Sequence, residues 1–278
     1  MVNISTDSTC DLPQSIFEAY NIGLLPLTIN CGDKSYKDGV DMSPDDVYKY
    51  VERDNLMCTT AAINTFEYEE HFKNALQGYD AVVHFCISAD MSACYQNALL
   101  ASEQFENVYV IDARNLSSGI GLLVFEAAEM AKAGKSASEI LARIQEITNK
   151  VDASFVVETM DYLKRGGRCT ALQAFGAAVL KIKPCIAVID GKMTVATTYR
   201  GSMERCLKAY VKERLENQQV DTRRIFITHS GVTDETVALV KEEISKYQQF
   251  DEVYVTRASC TISCHCGPGT LGILFIRK

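Results

Sequence analysis

Ala81-Val-Val-His-Phe-Cys-Ile87, running into Ser88-Ala-Asp-Met-Ser92, is the stretch from which the fold can be read. Seven mainly apolar residues in a row leave no wet face, so the run reads as a strand buried on both sides. A helical pattern over Phe66–Gln77 precedes it. A second helix over Ser92–Gln104 follows, then a further strand at Asn107–Ile111. Strand, helix and parallel strand in succession are the unit of an α/β fold.

Working outward, Met1–Ser5 reads as a first strand, the polar Thr6–Asp11 as a turn, and Leu24–Cys31 as one extended piece. Ser43-Pro44-Asp45-Asp46 is a helix start: Ser43 as cap, Pro44 at the first helical position, and two carboxylates facing the positive end of the helix. Ser118–Ala133 and Ser136–Thr148 are helical. From Asp152–Val157 onward the pattern changes. Val179–Asp190 and Lys192–Thr198 flank Gly191 as a hairpin, and the helices Ser202–Leu215 and Asp234–Tyr247 alternate with strands at Arg224–Thr228, Glu252–Thr256 and Leu271–Ile276. The expectation is two α/β domains, residues 1–150 with a mostly parallel sheet and 151–278 with a mixed one.

The chain has 278 residues, enough for two cores, and 28 basic against 36 acidic residues give a net charge of −8. Phosphate backbones and anionic bilayers repel such a chain, so nucleic acid is not an expected partner. Met1–Pro13 lacks the basic and apolar regions of a signal peptide, and Ile22–Cys31 is too short to span a bilayer. A cytoplasmic protein without an integral membrane segment is expected. Its eleven cysteines, odd in number and scattered through apolar segments, read as reduced thiols rather than a disulfide framework.

Four polar groups lie near the ends of apolar runs, where open α/β sheets place ligands. They are Thr59-Thr60, Ser88–Ser92, Gly166-Gly167-Arg168 and the loop Cys264-His265-Cys266-Gly267-Pro268-Gly269. Together they offer hydroxyls, backbone amides, a guanidinium and an imidazole, a set suited to a carboxylate or phosphate. Each has a plainer use as well: Ser92 as a helix cap, Gly166-Gly167 as a helix end, Thr60 and His265 as hydrogen-bonded loop residues. Asp7 fits a local turn better than catalysis. Cys260, Cys264, His265 and Cys266 lack the paired spacing and distant second pair of a zinc site, so no metal is expected. No Gly-x-Ser-x-Gly elbow and no Gly-x-x-x-x-Gly-Lys-Ser/Thr loop occurs.

In this order, the motifs resemble those of the DegV family along nearly the whole chain. They are Ile4-Ser-Thr-Asp-Ser-Thr-Cys-Asp-Leu12, Thr60-Ala-Ala-Ile-Asn64, Ile87-Ser-Ala-Asp-Met-Ser-Ala-Cys-Tyr-Gln96, Asp112-Ala-Arg-Asn-Leu-Ser-Ser-Gly-Ile-Gly121, Tyr162-Leu-Lys-Arg-Gly-Gly-Arg168, Lys183-Pro184 with Asp190-Gly191, and His265-Cys-Gly-Pro-Gly-Thr-Leu-Gly272. The resemblance implies two three-layer α/β/α domains. It implies an acyl-chain pocket in the N-terminal domain, the ligand head group at the interface, and a long-chain fatty acid such as palmitate, stearate or oleate as the bound molecule. It further implies a carrier that is not itself an enzyme and presents the carboxylate to a separate ATP-dependent kinase subunit for acyl-phosphate formation. By that resemblance Thr60, Ser92, Arg168 and His265 bind the carboxylate, and Arg200 meets the phosphate or the kinase subunit. The competing reading is a self-sufficient hydrolase or transferase acting at the cleft with His265 and Asp7. Ala61-Ala62-Ile63 and Ala93-Cys94 stand where the family has more polar residues, which implies a less polar pocket mouth or a different acyl preference.

Overall fold

The computed structural model describes residues 1–169 and 182–278. Among these, β1 (Val2–Asp7), β2 (Gly23–Leu25), β6 (Ala81–Cys86) and β7 (Val108–Asp112) form a four-stranded parallel sheet in the order β2-β1-β6-β7. All six residues of β6 are buried, as its unbroken apolar run predicts. The chain leaves β1 toward one side and later returns to the other, so the carboxyl ends of β1 and β6 flank a point where the strand order reverses. Crevices that take ligands open at such points.

The extended piece Leu24–Cys31 proves to be two strands in different sheets. Pro26 separates β2 from β3 (Thr28–Cys31), which pairs antiparallel with β4 (Lys34–Lys37) and β5 (Thr59–Ala61) in a small sheet of order β4-β3-β5. Proline has no N–H for a ladder, which is why the chain changes sheets there. Cys31 and Cys58, directly opposed at the end of the β3–β5 ladder with Cα atoms 4.4 Å apart, form a disulfide. This corrects the expectation that every cysteine is a reduced thiol. Cysteines 27 residues apart gave no spacing signal, and only the strand register brings them together.

The third sheet has the order β10-β9-β8-β13-β11-β12, built from β8 (Val151–Val156), β9 (Ile182–Ile189), β10 (Lys192–Arg200), β11 (Val220–His229), β12 (Glu252–Arg257) and β13 (Leu271–Arg277). Only β11 and β12 run parallel, so the sheet is mixed. Asp190 and Gly191 both take positive φ, 50° and 81°, at the β9–β10 turn, the geometry that Asp-Gly favours in a hairpin. Residues 179–181 of the expected strand Val179–Asp190 lie outside the described residues.

Helices α1 (Gln14–Tyr20), α2 (Pro44–Asp54), α3 (Thr65–Ala75), α4 (Cys94–Ser102), α5 (Ser118–Lys132) and α6 (Ala137–Thr148) belong to the first half of the chain. Helices α7 (Asp161–Gly166), α8 (Met203–Leu215), α9 (Asp234–Tyr247) and α10 (Cys260–Cys266) belong to the second. Ser43 caps α2 through a reciprocal bond pair with Asp46, as its sequence predicts. Helix α5 is buried over Ser118–Ala128 and packs against β1 and β6 on one side and β8 and β13 on the other. Gly121 permits this approach, since a Cβ there would sit 3.0 Å from the Cys10 carbonyl oxygen. The resulting core is continuous between the two larger sheets and includes Val83, Leu123, Phe155 and Leu274.

Helix α10 was not foreseen: its sequence reads as a loop. Five of its seven residues are buried, so no amphipathic stripe marks it. Long-range contacts hold it. Ser259 caps it locally, and Asp38, from the loop after β4, accepts from Cys260 N at 2.9 Å, Thr261 N at 3.1 Å and the Thr261 hydroxyl at 2.6 Å.

Candidate functional site

Thr60, Ser92, Arg168 and His265 come from four separate elements and line one cavity of about 200 Å³. Thr60 is the middle residue of β5, Ser92 lies between β6 and α4, Arg168 follows α7, and His265 is the penultimate residue of α10. Thr60 and His265 therefore sit within regular structure, not in the loops that the sequence suggested. Leu27, Ile87, Met91 and Leu116 supply apolar wall from the parallel-sheet side. Phe155, Leu163, Met193 and Leu274 supply it from the mixed-sheet side, so the lining comes from both sides of residue 150.

His265 Nε2 and Thr60 Oγ1 are 2.9 Å apart. Nδ1 of the same ring is buried without a hydrogen-bond partner. Gly166 lies directly against that nitrogen, where any side chain would displace the ring. Burial first, and then the charge of Arg168, hold His265 down to a pKa of about 4, so the ring is neutral near pH 7. A neutral ring can share one proton with Thr60, which leaves the hydroxyl able to turn its own hydrogen toward an anion.

Arg168 donates from Nη1 to the Gly166 carbonyl at 2.8 Å, which ties the guanidinium to the turn ending α7. Gly167 there has φ 67°, a left-handed helix end that suits glycine. Ser92 Oγ accepts from Cys94 N at 3.2 Å and lies 3.2 Å from Cys94 Sγ. The cap of α4 is Ala93, so Ser92 forms a turn one residue earlier. Its donor is spent only on a thiol, a weak acceptor that a carboxylate would outcompete.

Several lining residues escaped the sequence reading. His229 ends β11, and its Nδ1 accepts from Gly231 N at 3.3 Å and Val232 N at 3.4 Å, while burial lowers its pKa. Ser117 holds a left-handed φ of 54° and donates to Asp11 Oδ2 at 2.5 Å. Burial raises Asp11 to a pKa of about 7. Ser230 donates to the Gly267 carbonyl and accepts from Thr270 N at 3.0 Å. Their position at strand and helix ends was the available signal. Most of their polar atoms are occupied by the protein, whereas the Arg168 guanidinium commits Nη1 to the Gly166 carbonyl and carries further donors.

Asp7 does not line the cavity. It is buried, and its carboxylate accepts from the amides of Thr9 and Ile87, each at 2.9 Å, and from the Thr9 hydroxyl. It clamps the ends of β1 and β6 together. Arg200, the last residue of β10, is exposed and also lies off the cavity lining. Among the described residues no group of three or more His, Cys, Asp or Glu side chains could hold a metal ion, and no helix is long and apolar enough to cross a membrane.

The family model described as an uncharacterised protein of the DegV family matches residues 1–278. The chain belongs to the DegV family. A DegV domain-containing protein of Caldanaerobacter subterraneus is 31% identical over 281 residues, covering 100% of this chain and 99% of the relative. Among solved structures, the fatty-acid-binding DegV family protein of Thermus thermophilus superposes with a TM-score of 0.89 at 29% identity, covering 100% of this chain and 99% of the other. The Thermotoga maritima protein TM841, whose structure revealed a fatty-acid-binding function, gives 0.86 at 26% identity, covering the same shares. The fatty-acid-binding DegV of Bacillus subtilis gives 0.86 at 25% identity, again over 100% and 99%. This DegV chain thus shares its fold along its whole length with proteins that hold fatty acids. Its own cavity combines an apolar wall with hydroxyl, imidazole and guanidinium groups.

Proposed function

We propose that this chain binds one long-chain fatty acid, with the carboxylate held by Thr60, Ser92, Arg168 and His265 and the tail against the apolar walls. The observation that carries the reading is the convergence of those four residues on a single, otherwise largely apolar cavity. A carboxylate taken out of water costs several kcal/mol unless charge-assisted hydrogen bonds replace its hydration. Arg168 supplies the charge and the two hydroxyls supply further donors. The tail provides the grip: at about 0.8 kcal/mol per methylene, a fourteen-methylene chain gains roughly 11 kcal/mol before the costs of association.

The same reading makes the protein a cytoplasmic carrier of two lobes that meet near residue 150, not itself an enzyme. A separate ATP-dependent kinase subunit would phosphorylate the presented carboxylate. Arg200, exposed at the end of β10, is available to the phosphate or to that subunit. A site sheltered from water suits an acyl phosphate, which water would otherwise hydrolyse.

Native mass spectrometry of protein purified without added lipid, then delipidated and reloaded with palmitate, stearate or oleate, tests the carrier role. One acyl chain per protein and a raised Tm are expected. Neither a bound mass nor a thermal shift with any of the three acids would end this reading. Turnover of acyl phosphates or esters by the isolated chain would instead mark it as a hydrolase or transferase.

A further inference from the structure

We propose that the Cys31–Cys58 pair is a reversible thiol–disulfide exchange site whose state sets how firmly one wall of the cavity is held. The bond closes the segment that contains β4, α2 and Asp38. That segment and the strand immediately after it grip α10 at both ends. Near its start, Asp38 accepts from Cys260 N, Thr261 N and the Thr261 hydroxyl. Near its finish, Thr60, two residues beyond Cys58, bonds His265. Thr60 and Ala62 on one element, and Thr261, Ile262 and His265 on the other, all line the cavity.

The core behind this wall is small. Cys31 and Cys58 share it with Ile29, Met42, Val47, Cys260 and Cys264. The β3–β5 ladder has only three paired positions, Thr28 with Ala61, Ile29 with Thr60 and Asn30 with Thr59. So few pairs give weak registration, and the covalent bond at the ladder's end takes over the task of fixing β5 beside β3. Strand β5 is also the edge of its sheet, so local fraying is the route by which an external thiol reaches sulfurs that are only 3% and 5% exposed as residues. Cys260 donates its thiol to the Met42 carbonyl, and burial raises the pKa of both Cys260 and Cys264, so these neighbours stay protonated and do not compete for the bond.

The oxidant is a low-molecular-weight disulfide such as glutathione disulfide. In the oxidising direction one cysteine thiolate attacks it, forming a mixed disulfide and releasing one glutathione thiolate. The second cysteine thiolate then attacks the protein sulfur of that mixed disulfide and releases the second glutathione. Two protein thiols lose two protons and two electrons, and one glutathione disulfide becomes two thiols. Reduction is the reverse. Coupling between the bond and the ligand is reciprocal: whatever factor oxidation adds to ligand affinity, the ligand adds to the oxidation equilibrium.

The full-length protein is equilibrated in glutathione buffers of graded ratio and trapped by alkylation, with mass spectrometry reading the state of Cys31 and Cys58. Hydrogen exchange of residues 260–266 and palmitate affinity are measured at each end of the series. Exchange about tenfold faster, and affinity about tenfold weaker, are expected in the reduced protein. The Cys31→Ser/Cys58→Ser variant should match the reduced wild type in both buffers. The affinity readout rests on the fatty-acid reading, whereas the exchange readout does not. If palmitate binds in neither state, the fatty-acid reading fails and exchange at 260–266 decides the present inference. Equal exchange in the two wild-type states overturns it, as does a thiol state that never changes across the series or a variant that responds to the buffer as wild type does.

Discussion

Two histidines, one inside the parallel sheet and one at the cavity, have nearly the same local chemistry and opposite prospects. His84 on β6 shares one nitrogen with the Ser5 hydroxyl at 2.7 Å, and its Nε2 is buried without a hydrogen-bond partner. His265 on α10 shares one nitrogen with the Thr60 hydroxyl at 2.9 Å, and its Nδ1 is likewise buried and unpartnered. Burial lowers the pKa of both. They differ in what surrounds them. His84 is packed edge-on among the rings of Tyr68, His71 and Phe72, whereas His265 faces a cavity that Arg168 and Ser92 also line. A hydroxyl–imidazole pair is open to a ligand only where space and further donors meet it, and here the packing around each ring makes that difference.

The largest effect that separates the two regions should come from His84→Ala. It empties a fully buried ring position among three aromatic neighbours, so a loss of about 3–4 kcal/mol is expected, in the range for large-to-small core changes. Urea unfolding measures that loss, and palmitate affinity measured well below the transition should stay at the wild-type value. A variant that kept its stability and lost the ligand would erase the distinction between the two sites.

Much of this contrast was hidden in the sequence. The buried run Ala81–Ile87, the capped start of α2 and the Asp-Gly hairpin were legible because period, caps and turn chemistry are local. The four cavity residues stand in polar groups near the ends of apolar runs, which marks them as an anion-binding set. Only motif resemblance singles out these four, since none carries a decisive signal alone. What could not be read depends on contacts between distant segments. Helix α10 exists because Asp38 bonds residues 222 and 223 positions away, and Cys31 meets Cys58 only through strand register. His84 carries no mark that distinguishes it from a site residue until its aromatic neighbours are known.

Acid should sharpen the comparison through the neighbour of His84. Burial holds His71 down to a pKa of about 4, against about 6.5 in an unfolded chain. Between those values the unfolded state takes up a proton that the folded state refuses, so stability falls as pH drops from 6.5 toward 4. Asp11 works in the opposite sense. Its folded pKa of about 7 lets the native state keep a proton that the unfolded chain has lost, so its contribution weakens as pH rises from about 4 to 7. Comparing wild type with His71→Phe isolates the histidine. The variant should lose about 2 kcal/mol less than wild type between pH 6.5 and 4.5 in urea titrations. Parallel losses would mean that His71 accepts its proton without penalty. Burial and the charge of Arg168 hold His265 to a similarly low pKa, and a bound carboxylate would favour its charged form. Fatty acid should therefore flatten the acid loss that His265 causes and leave the His71 contribution untouched.

The smallest effects are the most discriminating, because they remove only the hydroxyl from each pair. Ser5→Ala strands His84 Nδ1 in a fully buried position and should cost about 1–2 kcal/mol of stability, with fatty-acid affinity unchanged. Thr60→Val keeps the branched shape suited to the middle of β5 while deleting the group that joins His265 to the cavity. Thr60 and His265 are both only partly buried and line the cavity, so water can replace the lost bond and the cost to stability should stay within about 0.5 kcal/mol. Losing one hydrogen bond to a charged ligand, about 1.5 kcal/mol, should by contrast weaken palmitate binding roughly tenfold. Denaturation and calorimetric titration of both variants give a crossed pattern, stability lost in one and affinity lost in the other. If Thr60→Val bound palmitate as wild type does, the Thr60–His265 pair would be a structural bond like that of Ser5 and His84, and the carboxylate would have to rest on Arg168 and Ser92.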